Sequence, residues 1–310
     1  MASVNMQQVK ELRERTQAGL NDCRTALIES EGDMEKAVEA ILKKGLAKSA
    51  KRAGAAASEG VVDAKVDDDG KRGVLVEVNI QTDFAARNQD FVAFAAKVLE
   101  VAQKAKTGAD LGAEPYPGGG GTVEEIRQAL VGKLGENITV RRWERLAVEG
   151  PGKVHAYVHM GGKIGVLLAV SVGDVAAVSK PELLEFVDNT AMQIAAMSPQ
   201  FLSQDDVAED AKQKQIEIFD AQLAEEGKPE KVRPRIIEGK VAKWMKEVCL
   251  LEQQSVIETD KNIDQIRKEV AEKVGADVKL ERFVRFERGE GIEQPKKPGF
   301  AEEVAKMAGG

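Results

Sequence analysis

The first 45 residues carry apolar positions at helical spacing in three short runs. Side chains three and four residues apart share one face of a helix, so each run predicts a buried face; the positions are Val9, Leu12 and Thr16, then Cys23, Ala26 and Leu27, then Met34, Val38, Ile41 and Leu42. Asp22 and Asp33 are predicted N-caps, and Gly45 is predicted to end the third helix. This pattern predicts a three-helix bundle, which is too small to hold much core and is more typical of docking than of catalysis.

An alanine-rich basic connector follows at 47–58, with the sequence AKSAKRAGAAAS. One interpretation is a solvated hinge that is partly helical. The alternative is a nucleic-acid-binding patch. Because no aromatic residues lie between the charges to stack on bases, the hinge is favoured.

Beyond Gly60 the apolar period changes from 3.6 to 2, which indicates β-strands. A hairpin is predicted from alternating positions on either side of the turn DDDG at 67–70, namely Val62, Ala64 and Val66, then Val74, Val76, Val78 and Ile80. Later strands are predicted in RRWERLAV, VHAYVHM and KIGVLLAVSV, and the last two are joined by a turn at Gly161–Gly162. A final strand is predicted at 279–286.

Amphipathic helices separate these strands. One contains Phe91, Phe94, Val98 and Ala105, another covers 123–134, and between them PYPGGGG at 115–121 is predicted to be a mobile loop. Another helix is predicted from Pro181, with one face formed by Leu184, Val187, Ala191 and Ile194. A helix that begins at about 235 is predicted to have one face formed by Ile237, Val241, Trp244, Val248 and Leu251. Three more helices are predicted, over about 205–226, over 263–274 and in the terminal FAEEVAKMAGG. Strand–helix blocks thus occur twice, around 60–134 and 140–286. Their segregated helices and hairpins predict an α+β fold, and a diverged duplication is one interpretation.

Composition narrows the classes of function. The chain has 310 residues, which suggests two domains, and its net charge of −7 disfavours direct nucleic-acid binding by the whole protein. Its two cysteines exclude a disulfide scaffold, and its two histidines exclude a histidine-rich metal centre. We find neither a membrane-spanning apolar stretch nor a signal peptide in the sequence, so we expect a cytoplasmic protein without a membrane partner.

Motifs for covalent chemistry are absent from the sequence. It contains no GxxxxGK[ST], GxGxxG after a strand, GxSxG or HExxH. His155, Tyr157 and His159 share one strand face, where a polar surface is favoured over the start of a metal site. Cys23 and Cys249 are expected to be packing residues. We therefore expect no enzyme active site and no cofactor.

One segment, NIQTDFAARNQDF at 79–91, passes from an apolar strand into an amphipathic helix. Two interpretations fit its central residues. In the first, Phe84 packs onto the sheet while Asp83 or Asn88 caps the following helix. In the second, a projecting turn presents Phe84 as an aromatic wedge beside the Asp83 carboxylate.

Several long motifs occur in order along nearly the whole chain: VKELRERTQAGLNDCRTAL (9–27), GDMEKAVEAILKKGLAKSAKRAG (32–54), VEVNIQTDFAARNQDF (76–91), GENITVRRW (135–143), HMGGKIGVLL (159–168), IAAMSPQFL (194–202) and RFERGEGIE (285–293). Together they resemble the bacterial elongation factor Ts family. Long motifs in a fixed order are far more specific than any short pattern.

The resemblance implies a domain organisation. Residues 1–54 would form a ubiquitin-associated-like bundle, 55–140 the N-subdomain of an α+β core, and 141–288 its related C-subdomain, with a helical insertion at about 185–232. Residues 289–310 would form a C-terminal helical module. The insertion is also expected to be the surface of any homodimer.

The resemblance further implies a guanine-nucleotide exchange factor for the GTPase elongation factor Tu. Thr82, Asp83, Phe84 and Ala85 match the family's turn that intrudes near the GTPase's magnesium site, although many relatives have Val where this chain has Ala85. The docking positions of the family correspond to Arg13, Leu20, Asn21 and His159. Relatives often carry Gly in place of Gln17 and Met in place of Leu20 or Asn21, so Leu20 keeps an apolar contact while Asn21 departs from the pattern.

A second class of function is a binding module. In this alternative, residues 1–54 recognise a ubiquitin-like or RNA partner, and the core serves as a scaffold. Release of nucleotide from a purified GTPase distinguishes it from an exchange factor.

Overall fold

A computed structural model describes residues 4–50, 52–118 and 120–293 of the chain. In order, its main elements are α1 (Met6–Thr16), α2 (Leu20–Glu29), α3 (Met34–Ala50), β1 (Glu59–Val66), β2 (Arg72–Ile80), α4 (Asp83–Ala86), α5 (Gln89–Lys104), α6 (Val123–Leu134), β3 (Ile138–Ala147), β4 (Gly152–His159), β5 (Ile164–Val172), α7 (Pro181–Met197), α8 (Glu209–Glu225), α9 (Arg233–Val248), α10 (Ile263–Val274) and β6 (Val278–Glu287). This mixture of N-terminal helices, strands and segregated helices confirms the predicted α+β class. The predicted terminal helix lies outside the described residues.

The described chain forms two compact units. Among the described residues, the first comprises those in 4–61, 76–142 and 287–293, and the second those in 62–75 and 143–286. Each unit is therefore assembled from segments that are distant in sequence. The domain boundaries expected from the resemblance remain a prediction.

The N-terminal bundle consists of α1, α2 and α3, as predicted, and its buried core contains the predicted positions Val9, Leu12, Cys23, Ala26, Leu27, Val38 and Ile41. Gly45 does not end α3, however, because the helix continues to Ala50. A Cβ atom built on Gly45 would lie 2.9 Å from the backbone N and Cα atoms of Ala129 in α6. Gly45 is thus the point where α3 crosses α6 closely, and the start of the connector, through Ala50, is helical, as its partly helical interpretation expects.

The described part of the chain forms two sheets of three strands each, in the orders β1-β2-β3 and β4-β5-β6. Strands β4 and β5 pair antiparallel from Gly152–Ser171 to His159–Ile164, so the turn at Gly161–Gly162 is where it was predicted. Within the second unit, α7 packs against both β5 and α10, around a core that includes Val166, Leu168, Leu183, Phe186, Val187, Ile194, Val270 and Val278. Leu184 was predicted on the buried face of α7, but it is exposed, because Leu183 and Phe186 form the inward stripe at the same helical spacing.

Helices α8 and α9 pack on each other and bury few of their side chains. Only Leu223 of α8 and Met245 and Val248 of α9 are buried among the described residues. The predicted face of α9 ends before Leu251, which lies in a short 3-10 turn after the helix.

Candidate functional site

The segment that joins β2 to α5 is a single short helical turn, α4. Thr82 is its N-cap: the Thr82 Oγ1 atom accepts a hydrogen bond from the Ala85 amide at 3.2 Å. Asn88 caps the next helix, since its side chain accepts from the Asp90 amide at 2.9 Å. Each helix start thus has its own capping side chain, which fixes the path of the backbone between them.

Phe84 projects from this turn with 86% of its surface exposed. The interpretation in which it packs onto the sheet is therefore wrong. Of the two caps predicted for α5, Asn88 is confirmed and Asp83 is not: Asp83 lies in the first turn of α4, largely exposed, with Arg87 as an ion-pair partner at 3.5 Å. Ala85 is buried and anchors the turn. The chain thus presents an aromatic ring and a carboxylate side by side on a capped turn.

Side chains from the segment after α6 hold the same turn. Glu136 accepts hydrogen bonds from the Thr82 amide at 3.1 Å and from Thr82 Oγ1 at 2.8 Å. Next to it, the Asn137 amide donates to the Gln81 side chain at 2.6 Å, and the Asn137 side-chain amide donates to the Ala55 carbonyl at 2.8 Å. Hydrogen bonds to a carboxylate are stronger than those between neutral groups, so the turn is tied to the rest of its unit.

Strand β2, which leads into the turn, carries a fully buried carboxylate, Glu77. It accepts hydrogen bonds from Arg141 at 3.0 Å, from Arg142 at 2.6 Å and from the Gly289 amide at 2.7 Å. Burial by itself raises the pKa of a carboxyl group, but these donors and the Asn79 side chain outweigh it and hold the pKa of Glu77 below its usual value. The group is therefore an anion that links β2, β3 and the segment after β6.

The candidate docking residues of the N-terminal bundle lie near the junction of α1 and α2. Leu20 and Asn21 begin α2 and are exposed, Leu20 by 42%. Arg13 on α1 is half exposed, and its guanidinium lies 3.9 Å from the Asp90 carboxylate. Gln17 ends α1 with a positive φ of 55°, a conformation that glycine adopts without strain. Glycine would therefore fit this position without backbone strain.

His159 belongs to the second unit, at the exposed end of β4. Its Nδ1 atom lies 2.8 Å from the Tyr157 hydroxyl, and the two rings stack at 5.8 Å. His155 on the same strand face is tied instead to Asp188 at 3.1 Å; its burial lowers the imidazole pKa, and the Asp188 carboxylate opposes that shift. The two histidines therefore have separate partners.

The described residues offer little for metal binding, thiol chemistry or membrane insertion. Across the described ranges, no group of three or more His, Cys, Asp or Glu side chains could hold a metal ion. Both cysteines are buried and free; burial raises the thiol pKa of Cys23, and that of Cys249 to about 11, so neither thiolate is available near neutral pH. No described helix has the length and apolar character needed to cross a membrane.

Sequence patterns missed Glu77 and Glu136. Glu77 stands in VLVEVNI, where the alternating valines suggest a polar outward face, yet β2 is buried on both faces beyond its first residue. A charged residue in the middle of so apolar a strand was the available signal. For Glu136 the sequence offers no local signal, because its partner Thr82 is 54 positions away.

The chain is similar to proteins that share one family name. The family model described as Elongation factor TS matches residues 81–290. A protein named Elongation factor Ts from Clostridium perfringens (strain SM101 / Type A) is 48% identical over 303 residues, which cover 97% of this chain and 98% of that one. Proteins of the same name from Clostridium botulinum (strain Eklund 17B / Type B) and Clostridium acetobutylicum are 46% and 42% identical, covering 99% and 96% of each chain respectively.

Proposed function

We propose that this chain, which belongs to the elongation factor Ts family, binds the GDP-bound form of the GTPase elongation factor Tu and promotes release of GDP during translation elongation in the cytoplasm. The observation that carries the proposal is Phe84, an exposed aromatic ring on a turn that is capped and hydrogen-bonded on both sides. A large apolar side chain held in water costs solvation free energy, so it favours a partner that buries it.

An exchange factor of this kind acts by binding and forms no covalent bond, so we do not regard the chain as an enzyme. It binds the nucleotide-free partner more tightly than the nucleotide-bound one. By linkage, the partner's affinity for nucleotide then falls by the same factor. Lowering that affinity a thousandfold requires about 4 kcal/mol of coupling.

We further propose that the turn Thr82–Ala85 disturbs the magnesium site of the partner. Burying Phe84 supplies roughly 1.5–3 kcal/mol, which is less than the coupling required. Magnesium demands nearly ideal octahedral geometry, so displacing its ligands is costly and can account for the remainder. Asp83 stands beside Phe84 with most of its side chain exposed, where it could draw away or reorient a ligand of the ion.

Release of a fluorescent GDP analogue from elongation factor Tu, with and without this protein, tests the proposal. Stimulated release is expected in Mg²⁺, and the advantage of the intact protein over the double variant Asp83→Ala, Phe84→Ala should shrink when a chelator removes the metal. An unchanged advantage would show that the turn does not act through magnesium. Absence of any stimulation would refute the exchange function.

Arg13, Leu20, Asn21 and His159 are proposed as docking residues. All four are exposed, and each provides a charge, an apolar side chain or a polar group for a partner. Leu20→Ala should raise the concentration of the factor that gives half-maximal exchange while leaving the maximal rate unchanged. A lower maximal rate at unchanged half-saturation would contradict docking.

A second copy of this chain is the proposed partner for the helical pair α8–α9, of which α8 lies in the predicted insertion at about 185–232 and α9 follows it. Their sparse burial leaves an open groove lined by the apolar side chains of Ile216, Pro234, Ile237, Val241 and Met245. Sedimentation should detect a dimer that Ile237→Glu disrupts. Gln222→Glu adds the same charge on the exposed part of α8 and should leave the dimer intact; a monomeric wild-type protein would exclude this association.

A further inference from the structure

Glu136 follows the C-terminal end of α6 and contacts the candidate exchange turn directly. Gly135 ends α6 in the left-handed conformation, with φ of 75°, which turns the chain sharply just before Glu136. Both oxygens of the Glu136 carboxylate then lie within hydrogen-bond distance of Thr82 Oγ1, at 2.8 and 3.1 Å. A single side chain thus engages the residue that begins α4.

Thr82 is hydrogen-bonded on two sides. Its hydroxyl donates to Glu136 and accepts from the Ala85 amide, while its own amide donates to Glu136 at 3.1 Å. A hydroxyl has one donor hydrogen, so donation to the carboxylate leaves its lone pairs oriented toward the Ala85 amide. Glu136 therefore orients the cap, and the cap determines where the backbone carries Phe84.

From this geometry we infer that Glu136 is a positioning residue for exchange, acting through Thr82 to hold the Phe84 turn in its binding conformation before the partner arrives. The inference rests on the proposed function of the turn. Preorganisation of this kind reduces the ordering cost of association, since a turn that is already fixed loses little conformational freedom on binding. Glu136 itself need not touch the partner.

The primary test compares Glu136→Ala in two backgrounds. In the otherwise native protein it should lower stimulated GDP release, measured as kcat/KM, by about tenfold, the change that corresponds to one hydrogen bond to a charged group. In a Phe84→Ala background it should have almost no further effect, because the ring that it positions is gone. A loss that persists fully in the Phe84→Ala background would show direct contact with the partner or general damage, and would overturn the inference.

A second measurement needs no partner. Hydrogen exchange at the Ala85 amide should be faster in Glu136→Ala than in the native protein, and Thr82→Val should reproduce that change. Asp174→Ala is the matched control, since the Asp174 carboxylate caps the short turn Val175–Ala177 in the second unit. It should alter neither GDP release nor exchange at Ala85; unchanged exchange at Ala85 in Glu136→Ala would overturn the inference.

These outcomes separate the two hypotheses. If Phe84→Ala leaves GDP release unaffected, the proposed function of the turn fails, whatever Glu136 does to the Ala85 amide. If Phe84→Ala slows release while Glu136→Ala does not, the turn functions as proposed and only the positioning inference fails.

Discussion

The same order of strands and helices occurs twice along the chain, in a first copy from β1 to β3 and a second copy from β4 to β6. The two copies differ in the side chains at corresponding positions. Strands β1 and β4 have 8 residues each, β2 and β5 have 9, helices α6 and α10 have 12, and strands β3 and β6 have 10. Both sheets also have the same strand order. Such agreement in length and order supports a diverged duplication.

Local hydrogen bonds repeat as well. Both α6 and α10 begin with a capping box and end at a glycine in the left-handed conformation, Gly135 and Gly275. Arg127 donates to the Ile138 carbonyl and Arg267 to the Val278 carbonyl, in each case 11 residues along the chain. The two copies therefore share a local framework, and functional differences must come from the side chains placed on it.

The turn after the second strand shows the clearest difference. In the first copy it carries Phe84 and is held by Glu136, two residues beyond the end of α6. In the second copy the equivalent turn, Val175–Ala177, has Ala176 at the position of Phe84, and its exposed apolar residue is Val175. Ala276 stands two residues beyond the end of α10. An alanine offers no side-chain acceptor. Only the first copy thus combines an aromatic ring with a carboxylate that holds its turn.

The middle strands differ in the same way. In the first copy, β2 buries Glu77 against Arg141 and Arg142, whereas the corresponding place in β5 is the buried Ala169. The first copy is therefore held together partly by charge and the second by apolar packing. A buried charge that loses its partners is costly, so the first copy should be the more sensitive to substitution.

Glu77→Ala is expected to have the largest effect. Removing the carboxylate leaves Arg141 and Arg142 without their shared anion, and breaking a buried ion pair costs about 3–5 kcal/mol. Urea unfolding should show this loss in the first unit. Glu281→Ala is the matched control: its carboxylate is on the surface of the second copy, bonded to Ser171 and Lys279, so its loss should cost less than about 1 kcal/mol.

The contribution of Glu77 should also depend on pH. Its pKa in the folded chain is lower than the ordinary value of 4.5, so the folded state favours the charged form. That stabilisation is fully present above the ordinary value and is lost as the pH falls through the lower folded value. The difference in unfolding free energy between the native protein and Glu77→Ala should be constant above about pH 5.5 and shrink in acid. A difference that grows on acidification would contradict the assignment of Glu77 as an anion.

Phe84→Ala and Val175→Ala compare the two turns directly. Burying a phenylalanine supplies roughly 1.5–3 kcal/mol, so Phe84→Ala should lower kcat/KM for GDP release by about ten- to a hundredfold. The fold should survive, because the ring is 86% exposed. Val175 is also exposed, by 69%, but Val175→Ala should leave exchange unchanged. Equal losses for both variants would remove the functional distinction between the turns.

Sequence patterns predicted elements well where local signals agreed and poorly where distant contacts decide. The bounds 123–134 and 263–274 were predicted correctly because periodicity, an N-cap and a C-terminal glycine coincide there. Gly45 carries the same C-terminal signal, yet it lies inside α3, since its role is close contact with α6. Phe84 was ambiguous because an exposed and a packed aromatic residue look alike in one sequence.

Gly45→Ala should test the close contact between α3 and α6, the first-copy counterpart of α10. Helix α6 offers the small residues Ala129 and Gly132 to α3, and a Cβ at Gly45 would press on the Ala129 backbone. Overpacking of this kind typically costs about 1–3 kcal/mol of stability. The substitution should therefore loosen the N-terminal bundle from α6, and amide exchange should become faster in the bundle and in α6. Gly239→Ala in α9 is the matched control: its Cβ would meet open space, so it should gain about 1 kcal/mol of helix stability.

Gln17→Gly is expected to have the smallest effect. It should raise the stability of the first unit, whereas Glu77→Ala and Gly45→Ala should lower it. Gln17 ends α1 with φ of 55°, which costs an L-residue about 1–2 kcal/mol that glycine does not incur. Glycine has more freedom in the unfolded chain, which offsets about 0.4–1 kcal/mol of that gain, and the Gln17 side chain also loses its bond to the Glu14 carbonyl. A net stabilisation of about 0.5 kcal/mol should remain and slow amide exchange in α1 and α2. Gly135→Gln makes the reverse change at the end of α6 and should destabilise that helix. If Gln17→Gly instead speeds exchange in α1, the side-chain bond to Glu14 matters more than the strain of the backbone.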